Sequence, residues 1–160
     1  MPLVLRTATA DDATTIHALV VALAEYEREP DAVANTPDNL RAQLAAPHPA
    51  FECLLAEEDG VAVGFALFFP TYSTWLGHPG LWLEDLFVCE PHRRRGIGRA
   101  LITRVAELAA ERGCGRLEWA VLDWNTPARD FYRSLGATAL DQWTTHRLTG
   151  DALRDLASPR

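Results

Sequence analysis

The chain has 160 residues, a formal net charge of −7 and 48% hydrophobic residues, the composition of an ordinary globular domain. All 15 basic residues are arginine, which excludes a Schiff-base lysine and a Walker A motif. The acidic balance disfavours nucleic acid as a partner, and the longest apolar run, residues 61–69, is too short for a membrane span. Three separated cysteines and five scattered histidines lack metal-ligand spacing, so we expect no metal and a reducing, cytoplasmic location.

Apolar periodicity, caps and turn residues predict an alternation of strands and helices. Ile16, Leu19 and Leu23 recur at helical spacing, and Glu58-Asp59-Gly60 is a favourable hairpin turn. In chain order the predicted elements are an edge strand at Leu3–Arg6, a helix capped by Thr9–Asp12, a helix from Thr36-Pro37 to near Pro47, strands at 51–57 and 61–69, a loop at 70–80, a strand at 81–88, a helix at about 96–112, a strand at 117–122, a helix from Asn125 to Gly136, a strand at about 138–148 and a polar tail.

The stretch after the strand at 81–88 carries the strongest functional signal. It reads Arg93-Arg94-Arg95-Gly96-Ile97-Gly98, an R-x-x-G-x-G sequence that opens directly into an amphipathic helix. The N–H groups at a helix N-terminus carry partial positive charge, and glycines let a phosphate approach the backbone closely. The third glycine of a dinucleotide-binding fingerprint is missing. The pattern indicates an anion cradle, with a solvated basic turn as the alternative.

With this motif the chain resembles the GNAT superfamily of acetyl-CoA-dependent N-acetyltransferases. Arg93 to Gly98 match the family motif R/Q-x-x-G-x-G/A between the fourth strand and the third helix. The resemblance extends to the diamine (spermidine/spermine) and thialysine acetyltransferase branch. The segments that carry it, in the family's order, are Leu23-Ala24-Glu25-Tyr26-Glu27, Leu83-Glu84-Asp85-Leu86-Phe87-Val88, and Asp123-Trp124-Asn125-Thr126-Pro127 with Phe131-Tyr132 and Gly136-Ala137.

The resemblance implies one GNAT domain over residues 1–160, of the α/β (α+β) class. Its central sheet is mixed, mostly antiparallel, flanked by helices and splayed between strands 4 and 5, where the pantetheine arm of acetyl-CoA lies. The backbone groups of Leu86 and Val88 are then expected to pair with pantetheine, and Arg94 to Arg99 to surround the pyrophosphate. Taken alone, Asn125 is a helix cap. The implied cofactor-binding residues are Leu86, Phe87, Val88, Arg93, Arg94, Arg95, Gly96, Ile97, Gly98, Arg99, Asn125 and Ala128.

Two acidic residues, Glu84 and Asp85, interrupt the apolar strand at 81–88. Strand alternation puts their side chains on opposite faces unless a bulge intervenes. A carboxylate beside a cofactor cleft is a candidate general base, and an ion-paired or edge-exposed acid is the alternative. The resemblance favours Glu84, which would bind and deprotonate the amine through water. By periodicity Tyr132 is a core aromatic, whereas the resemblance makes it the general acid for the leaving CoA thiolate.

The resemblance places Tyr26, Glu27 and Trp75, together with Glu84, around the amine. A carboxylate and aromatic faces suit a cation. The chain departs from the polyamine enzymes of the branch at Ser73, where they carry an extra acid, and around Thr144, where their C-terminal acidic run is missing. Fewer carboxylates weaken selection for a long polycation. A smaller amine or an amino acid is therefore as good a candidate as spermidine.

We therefore expect an acetyl-CoA-dependent N-acetyltransferase that acts on a primary amine of a small molecule, such as a diamine, a polyamine or a lysine-like amino acid. The amine attacks the thioester directly, with the Val88 N–H holding the carbonyl oxygen; Cys89 as a nucleophile is the alternative. A protein or peptide N-acetyltransferase and a non-catalytic acyl-CoA sensor are the rival functions. The aromatic content near Trp119 and Trp143, together with the resemblance, predicts a homodimer.

Overall fold

The structure is a computed structural model that describes residues 2–159. Its contacts divide the chain into two compact units, with the boundary between Leu122 and Asp123. The first unit holds the sheet and three helices. Its elements are β1 (Leu3–Thr7), α1 (Ala13–Tyr26), α2 (Pro37–Leu44), β2 (Glu52–Glu58), β3 (Val61–Ser73), β4 (His78–Val88), α3 (Ile97–Glu111) and β5 (Leu117–Glu118).

The boundaries of several elements follow from local chemistry. Helix α2 begins where Thr36 Oγ1 accepts a hydrogen bond from the Asn39 N–H at 3.1 Å, with Pro37 in the first turn. The β2–β3 hairpin turns at Asp59 and Gly60, whose φ angles are 52° and 78°. Two consecutive positive φ angles are typical of the type I′ turn, which matches the twist of paired strands. The predicted start of α2 and the predicted hairpin turn are confirmed.

The five strands form one sheet in the order β1-β2-β3-β4-β5. All neighbours are antiparallel except β4 and β5, which are parallel and are connected through α3. A parallel pair requires such a crossover, because a tight turn cannot reverse the chain twice. The mixed, mostly antiparallel sheet predicted above is confirmed.

Helix α1 buries its predicted stripe against the sheet. Ile16, Leu19 and Leu23 are 0%, 5% and 8% exposed, and each such burial contributes roughly 1.5–3 kcal/mol. Helix α3 contacts β3 and β4 and buries its own stripe, which includes Leu101 and Val105. The strand residues in the apolar cluster with α1 and α2 are Cys53, Leu55, Phe65 and Phe87.

The prediction of a loop at residues 70–80 is wrong. Strands β3 and β4 continue as one long hairpin, and the chain reverses only between Ser73 and His78. The sequence misleads because Pro70 lies inside β3. Strand β2 pairs with β3 only as far as Phe68, so the N–H that Pro70 lacks falls on an unpaired edge.

The strand predicted at 117–122 is much shorter than expected, since β5 ends at Glu118. It pairs only with Leu81 and Trp82 of β4, near the middle of that strand. Within residues 2–159, β4 therefore runs on from 83 to 88 with a partner on its β3 side alone. This divergence is the expected splay between strands 4 and 5.

The second unit contains helices α4 (Thr126–Ser134) and α5 (Gly150–Ala157). The prediction of a strand at about 138–148 is wrong, because this segment forms neither a helix nor a strand. Leu140, Trp143 and Leu148 in this segment are more than half exposed, so it has no buried face to hold it in a ladder. No helix within residues 2–159 is both long and apolar enough to cross a membrane.

Candidate active site

A tight turn joins the end of β4 to α3. It contains one turn of 3-10 helix at Glu90–His92, after which Arg94 and Gly96 adopt left-handed φ angles of 61° and 81°. Gly96 is the N-cap of α3, and in the described part of the chain no side chain caps the first N–H groups of this helix. Those donors carry partial positive charge and lie next to a residue without a side chain. The turn therefore has the geometry of an anion site.

The four arginines of this turn and of the first helical turn fall into two pairs. Arg93 folds back: its Nε donates to the Val88 carbonyl at 2.8 Å, and its guanidinium carbon lies 4.5 Å from the centre of the Tyr26 ring. Arg95 binds the Glu58 carboxylate through both terminal nitrogens. Arg94 and Arg99 make no ion pair with any residue in the range 2–159. They are the two arginines that the fold leaves available for an anionic ligand.

Backbone groups at the far edge of β4 line the gap left by β5. The Cys89 N–H donates to the Val63 carbonyl at 2.8 Å, toward β3. Since backbone groups alternate along a strand, those of Val88 and Leu86 point to the opposite edge. The Val88 carbonyl, which accepts from Arg93, fits this direction. An extended ligand could add to this edge as a further strand would.

The side chains around that edge leave room for such a ligand. A Cβ added to Gly98 would lie 3.8 Å from Val88 Cγ2, which is ordinary van der Waals contact. Phe87 and Ile97 are 7% and 2% exposed, so their side chains belong to the core. Of the residues implied for cofactor binding, these two can therefore contribute mainly backbone groups.

A β-bulge brings the two acidic residues of β4 together. Leu67 of β3 pairs with Asp85 and Phe68 pairs with Leu83, so Glu84 is the extra residue between them. Glu84 is exposed, and its Oε2 accepts a hydrogen bond from Trp82 Nε1 at 2.8 Å. The bulge breaks the regular alternation that would have put the two carboxylates on opposite faces.

Two of the nearby carboxylates have no counter-ion. Burial, then the charges of Glu84 and Glu27, raise the pKa of Asp85 to about 7. Burial alone raises the pKa of Glu27 above its usual value. In the part of the chain that the structure describes, neither Asp85 nor Glu27 has a hydrogen bond or ion pair through its side chain. Uncompensated negative charge of this kind favours a cationic ligand.

A groove of about 380 Å³ lies between the end of α1 and the end of β4. Tyr26 lines it, and Arg93 covers one face of the Tyr26 ring. Glu27 is not among the lining residues. The full lining is Ala22, Glu25, Tyr26, Phe87, Cys89, Glu90 and Arg93.

Trp75 lies at the tip of the β3–β4 hairpin and is 85% exposed. Tyr72, on the same hairpin, is 68% exposed. Two exposed aromatic side chains on a projecting hairpin have little apolar contact of their own. The structure places Trp75 on a surface that a ligand can reach.

Three of the implied site residues belong to the second unit. Asn125 is 6% exposed and caps α4, with its Oδ1 accepting from the Ala128 N–H at 3.3 Å. Tyr132 is half-buried, and its ring centre lies 5.4 Å from that of Phe131. The predicted cap at Asn125 is confirmed. Glu84, in contrast, belongs to the first unit.

Sequence reasoning missed two residues of this region. It passed over Asp85 in favour of Glu84, although two adjacent acids inside an apolar strand are a signal for a bulge. It treated Glu58 only as part of a hairpin turn, and nothing local in the sequence indicates its contact with Arg95. In residues 2–159 no group of three or more histidine, cysteine or acidic side chains could hold a metal ion.

Comparison with known proteins places this architecture in a family. The model of the Acetyltransferase (GNAT) family matches residues 16–137, and the chain belongs to this family. It is 38% identical over 164 aligned residues to a thialysine N-epsilon-acetyltransferase from Sus scrofa, with 96% of each chain covered. It is 31% identical to a human spermidine/spermine N(1)-acetyltransferase-like protein 1, over 96% of this chain and 23% of that one.

Solved structures with a similar fold also include an acetyltransferase. An aminoglycoside N-acetyltransferase, AAC(6')-Iy, solved in complex with CoA, superimposes with a TM-score of 0.73. It is 23% identical in sequence, and the match covers 92% of this chain and 95% of that one. The GNAT fold, the enzyme class and the resemblance to the diamine and thialysine branch are confirmed. The chain is an N-acetyltransferase of a family that uses acetyl-CoA.

Proposed function

We propose that this protein transfers the acetyl group of acetyl-CoA to a primary amine of a small molecule by direct attack. The observation that carries the proposal is the arrangement along β4. Two carboxylates that have no counter-ion among residues 2–159, Glu27 and Asp85, lie near the bulge at Glu84. The unpaired edge of the same strand then leads into an anion-binding turn. An ammonium group and a phosphate-bearing acyl donor are the ligands that such charges favour.

The donor would be held by backbone more than by side chains. Leu86 offers its edge groups to the pantetheine arm, and Val88 offers its N–H to the thioester end of that arm, because Arg93 already binds the Val88 carbonyl. The N–H groups at the start of α3, together with Arg94 and Arg99, suit the pyrophosphate because no side-chain cap or ion pair within residues 2–159 uses them. Asn125 and Ala128 at the start of α4 are the proposed contacts from the second unit. Acetyl-CoA supplies the thioester from which the acetyl group is taken.

The chemistry requires three proton transfers. Glu84 accepts a proton from the bound ammonium through water, and the neutral amine attacks the thioester carbonyl. The Val88 N–H stabilises the negative charge that develops on the carbonyl oxygen. The carbon–sulfur bond then breaks, and Tyr132 donates its phenolic proton to the leaving sulfur. The nitrogen of the intermediate gives up its second proton, which returns Tyr132 to the phenol. The bond formed is an amide, and the products are the acetylated amine and CoA.

The acceptor is best described as a lysine-like amino acid or a short diamine. A relative that covers almost the whole chain is named for thialysine, a lysine analogue. Ser73 and Thr144 stand where the polyamine enzymes carry acidic groups, which weakens the case for spermidine. Tyr26, Glu27 and Trp75 remain the proposed acceptor side chains. A peptide acetyltransferase or an acyl-CoA sensor would not need two uncompensated carboxylates beside the bulge.

We further propose that residues 1–160 act as one acetyltransferase domain, since the family match runs across the boundary at Leu122. Exposed apolar residues such as Trp143 support a homodimer, which light scattering at micromolar concentration would test. The free thiols Cys53, Cys89 and Cys114 support a reducing, cytoplasmic location.

The proposed function is tested by measuring CoA release across a panel of amines. The panel contains thialysine, lysine, short diamines, spermidine, an aminoglycoside and a lysine-containing peptide. We expect the highest kcat/KM for thialysine, lysine or a short diamine. A preference for the peptide would favour the protein acetyltransferase. CoA binding without release on any amine would favour the sensor.

The assignment of the base is tested by a matched pair, Glu84→Gln and Asp85→Asn, which remove neighbouring carboxylates of one strand. If Glu84 accepts the proton, Glu84→Gln should lower kcat about 10²-fold or more, and Asp85→Asn should lower it much less. The reverse order would assign the proton transfer to Asp85. Unfolding curves of both variants control for changes in stability.

A further inference from the structure

The Glu58 carboxylate binds His92 and Arg95, and this contact, called the clamp below, holds the turn between β4 and α3 in place. Glu58, the last residue of β2, is only 8% exposed. Its Oε2 accepts from His92 Nδ1 at 2.7 Å and from Arg95 Nη1 at 3.0 Å, and its Oε1 lies 2.8 Å from Arg95 Nη2. Three bonds to one carboxylate form a strong, directional contact. An ionised carboxylate can only accept, so Nδ1 is the protonated nitrogen of His92.

The two partners of Glu58 bracket the residues whose conformation matters. His92 and Arg95 stand on either side of Arg94, which has a left-handed φ of 61°. This conformation is unfavourable for a residue with a Cβ, so it persists only where neighbouring contacts hold it. Gly96, the N-cap of α3, follows directly. The clamp thus fixes the turn on both sides of Arg94.

The clamp engages Arg95 and leaves Arg94 without an ion pair in the described part of the chain. Both terminal nitrogens of Arg95 are engaged by Glu58, whereas Arg94 has no ion pair within residues 2–159. Hydrogen bonding from His92 and the charge of Arg95 lower the pKa of Glu58 below its usual range. The carboxylate is therefore ionised, and the clamp is intact at neutral pH.

We propose that Glu58 is a positioning residue for the acyl donor. By holding His92 and Arg95, it aims Arg94 and the first N–H groups of α3 at the pyrophosphate, and it does not itself touch the donor or the amine. This role rests on the proposed function, which assigns the turn to acetyl-CoA. It assigns Arg95 to the support of the turn rather than to the phosphates.

The test compares Glu58→Gln with Glu57→Gln, which removes the same charge one residue earlier. Glu57 pairs with Arg6 and, within residues 2–159, has no hydrogen bond or ion pair with the turn, so it controls for the loss of an arginine ion pair in β2. Two donors are used: acetyl-CoA, and acetyl-pantetheine, which has the thioester arm but no pyrophosphate. Calorimetry gives the Kd of CoA, and kinetics give kcat/KM for each donor and KM for the amine.

Glu58→Gln should raise the Kd of CoA about tenfold, a typical size for coupling between contacting residues. Its kcat/KM with acetyl-pantetheine and its KM for the amine should stay near the wild-type values, and Glu57→Gln should leave all three unchanged. An unchanged Kd, or equal losses with both donors, would overturn the proposal. Tighter CoA binding would also overturn it, because a released Arg95 would then be a phosphate ligand.

Failure of this proposal is separable from failure of the proposed function. If Gly98→Val weakens CoA binding while Glu58→Gln does not, the donor site stands and only the role of Glu58 is wrong. If neither variant changes the Kd of CoA, the turn is not the pyrophosphate site. Should Glu58→Gln fail to fold, His92→Gln removes the other partner of Glu58 and leaves Arg95 in place. It should raise the Kd of CoA without changing kcat/KM for acetyl-pantetheine, and an unchanged Kd would overturn the proposal.

Discussion

The two ends of the unpaired part of β4 are built on opposite principles. At the turn toward α3, two of the four arginines are held by internal contacts: Arg95 by the Glu58 carboxylate, and Arg93 by a carbonyl and an aromatic ring. Near the bulge, neither Asp85 nor Glu27 has a hydrogen bond or ion pair through its side chain to any residue in the range 2–159. The donor end is therefore held in its conformation before any ligand arrives, whereas the acceptor end holds carboxyl groups whose charge only a proton or a cationic ligand compensates.

This difference teaches how one strand can serve two substrates of opposite charge. A preformed turn binds a polyanion through backbone groups whose direction is fixed, so little has to move on binding. Uncompensated carboxylates are costly in the free protein, and the cost is relieved when an ammonium binds. Specificity for the donor is thus expected to depend on geometry, and specificity for the acceptor on charge.

The largest effect is expected at Tyr132, which tests whether the donor end needs a chemical group besides its backbone. Tyr132→Phe keeps the ring and should lower kcat about 10²–10⁴-fold, because the leaving thiolate loses its proton donor. Affinity for CoA and thermal stability should hold. Tyr72→Phe, on the exposed hairpin, is the matched control. A fall of about twofold or less at neutral pH would make Tyr132 a packing residue.

The second prediction concerns how much the free energy of unfolding falls when Asp85 loses its proton. Its pKa is about 7 in the native protein and near 3.9 when unfolded, so the native state retains a proton that the unfolded state releases between these values. This contribution to the free energy of unfolding is present below pH 4 and is lost as the pH rises to 7. Asp85→Asn has no such loss.

Its stability relative to the wild type should therefore rise by up to about 4 kcal/mol between pH 4 and pH 8, as measured by urea unfolding. Asp38→Asn removes a carboxylate that is almost fully exposed, and it should show no such trend. If the difference in free energy of unfolding between Asp85→Asn and the wild type is the same at both pH values, the pKa of Asp85 is not raised in the native protein.

The third prediction tests the geometric character of the donor end. Gly98→Val places a branched side chain beside Val88, where the pyrophosphate is proposed to approach the backbone. The loss of charge-assisted hydrogen bonds should weaken CoA binding by roughly 10–100-fold in calorimetry. Gly98→Ala adds only a Cβ at an ordinary contact distance and should fold normally with a smaller loss. Wild-type affinity in a folded Gly98→Val would remove the phosphates from this turn.

The smallest effect is expected at Glu27, which tests the charge-based character of the acceptor end. Glu27→Gln should raise KM for the amine by about fivefold and leave kcat nearly unchanged, because it removes binding that is equal in ground and transition states. KM for acetyl-CoA should not change. Glu29→Gln removes a nearby charge on the exposed side of the chain after α1 and serves as the control. Equal amine KM values in the two variants would exclude Glu27 from the site.

Local chemistry accounts for the parts of this fold that the sequence predicts well. The Thr36 cap, the Asp59-Gly60 turn and the stripe of Ile16 and Leu23 each depend on residues within a few positions of one another. The turn with Gly96 is also predicted locally, from the R-x-x-G-x-G pattern. The splayed sheet is predicted only through the family resemblance, which transfers long-range pairing that no local pattern contains.

The remaining features depend on contacts distant in sequence. Glu58 and Arg95 are 37 positions apart, and no periodicity connects them. The bulge at Glu84 results from a shift in the pairing of β3 with β4, and regular alternation hides it. Pro70 can lie in a strand because β2 does not extend far enough to pair with it. This depends on the neighbouring strand and not on the segment itself.

The bulge also makes one position of β4 unusually tolerant of a change in chain length. Losing a single residue within a paired strand normally exchanges the two faces of everything beyond it. Loss of Glu84 would instead bring Leu83 and Asp85 into direct succession opposite Phe68 and Leu67, which are already their partners. A natural or engineered deletion at this codon should therefore yield a folded chain that lacks its proposed base, so activity can be lost there by shortening the protein without unravelling the sheet.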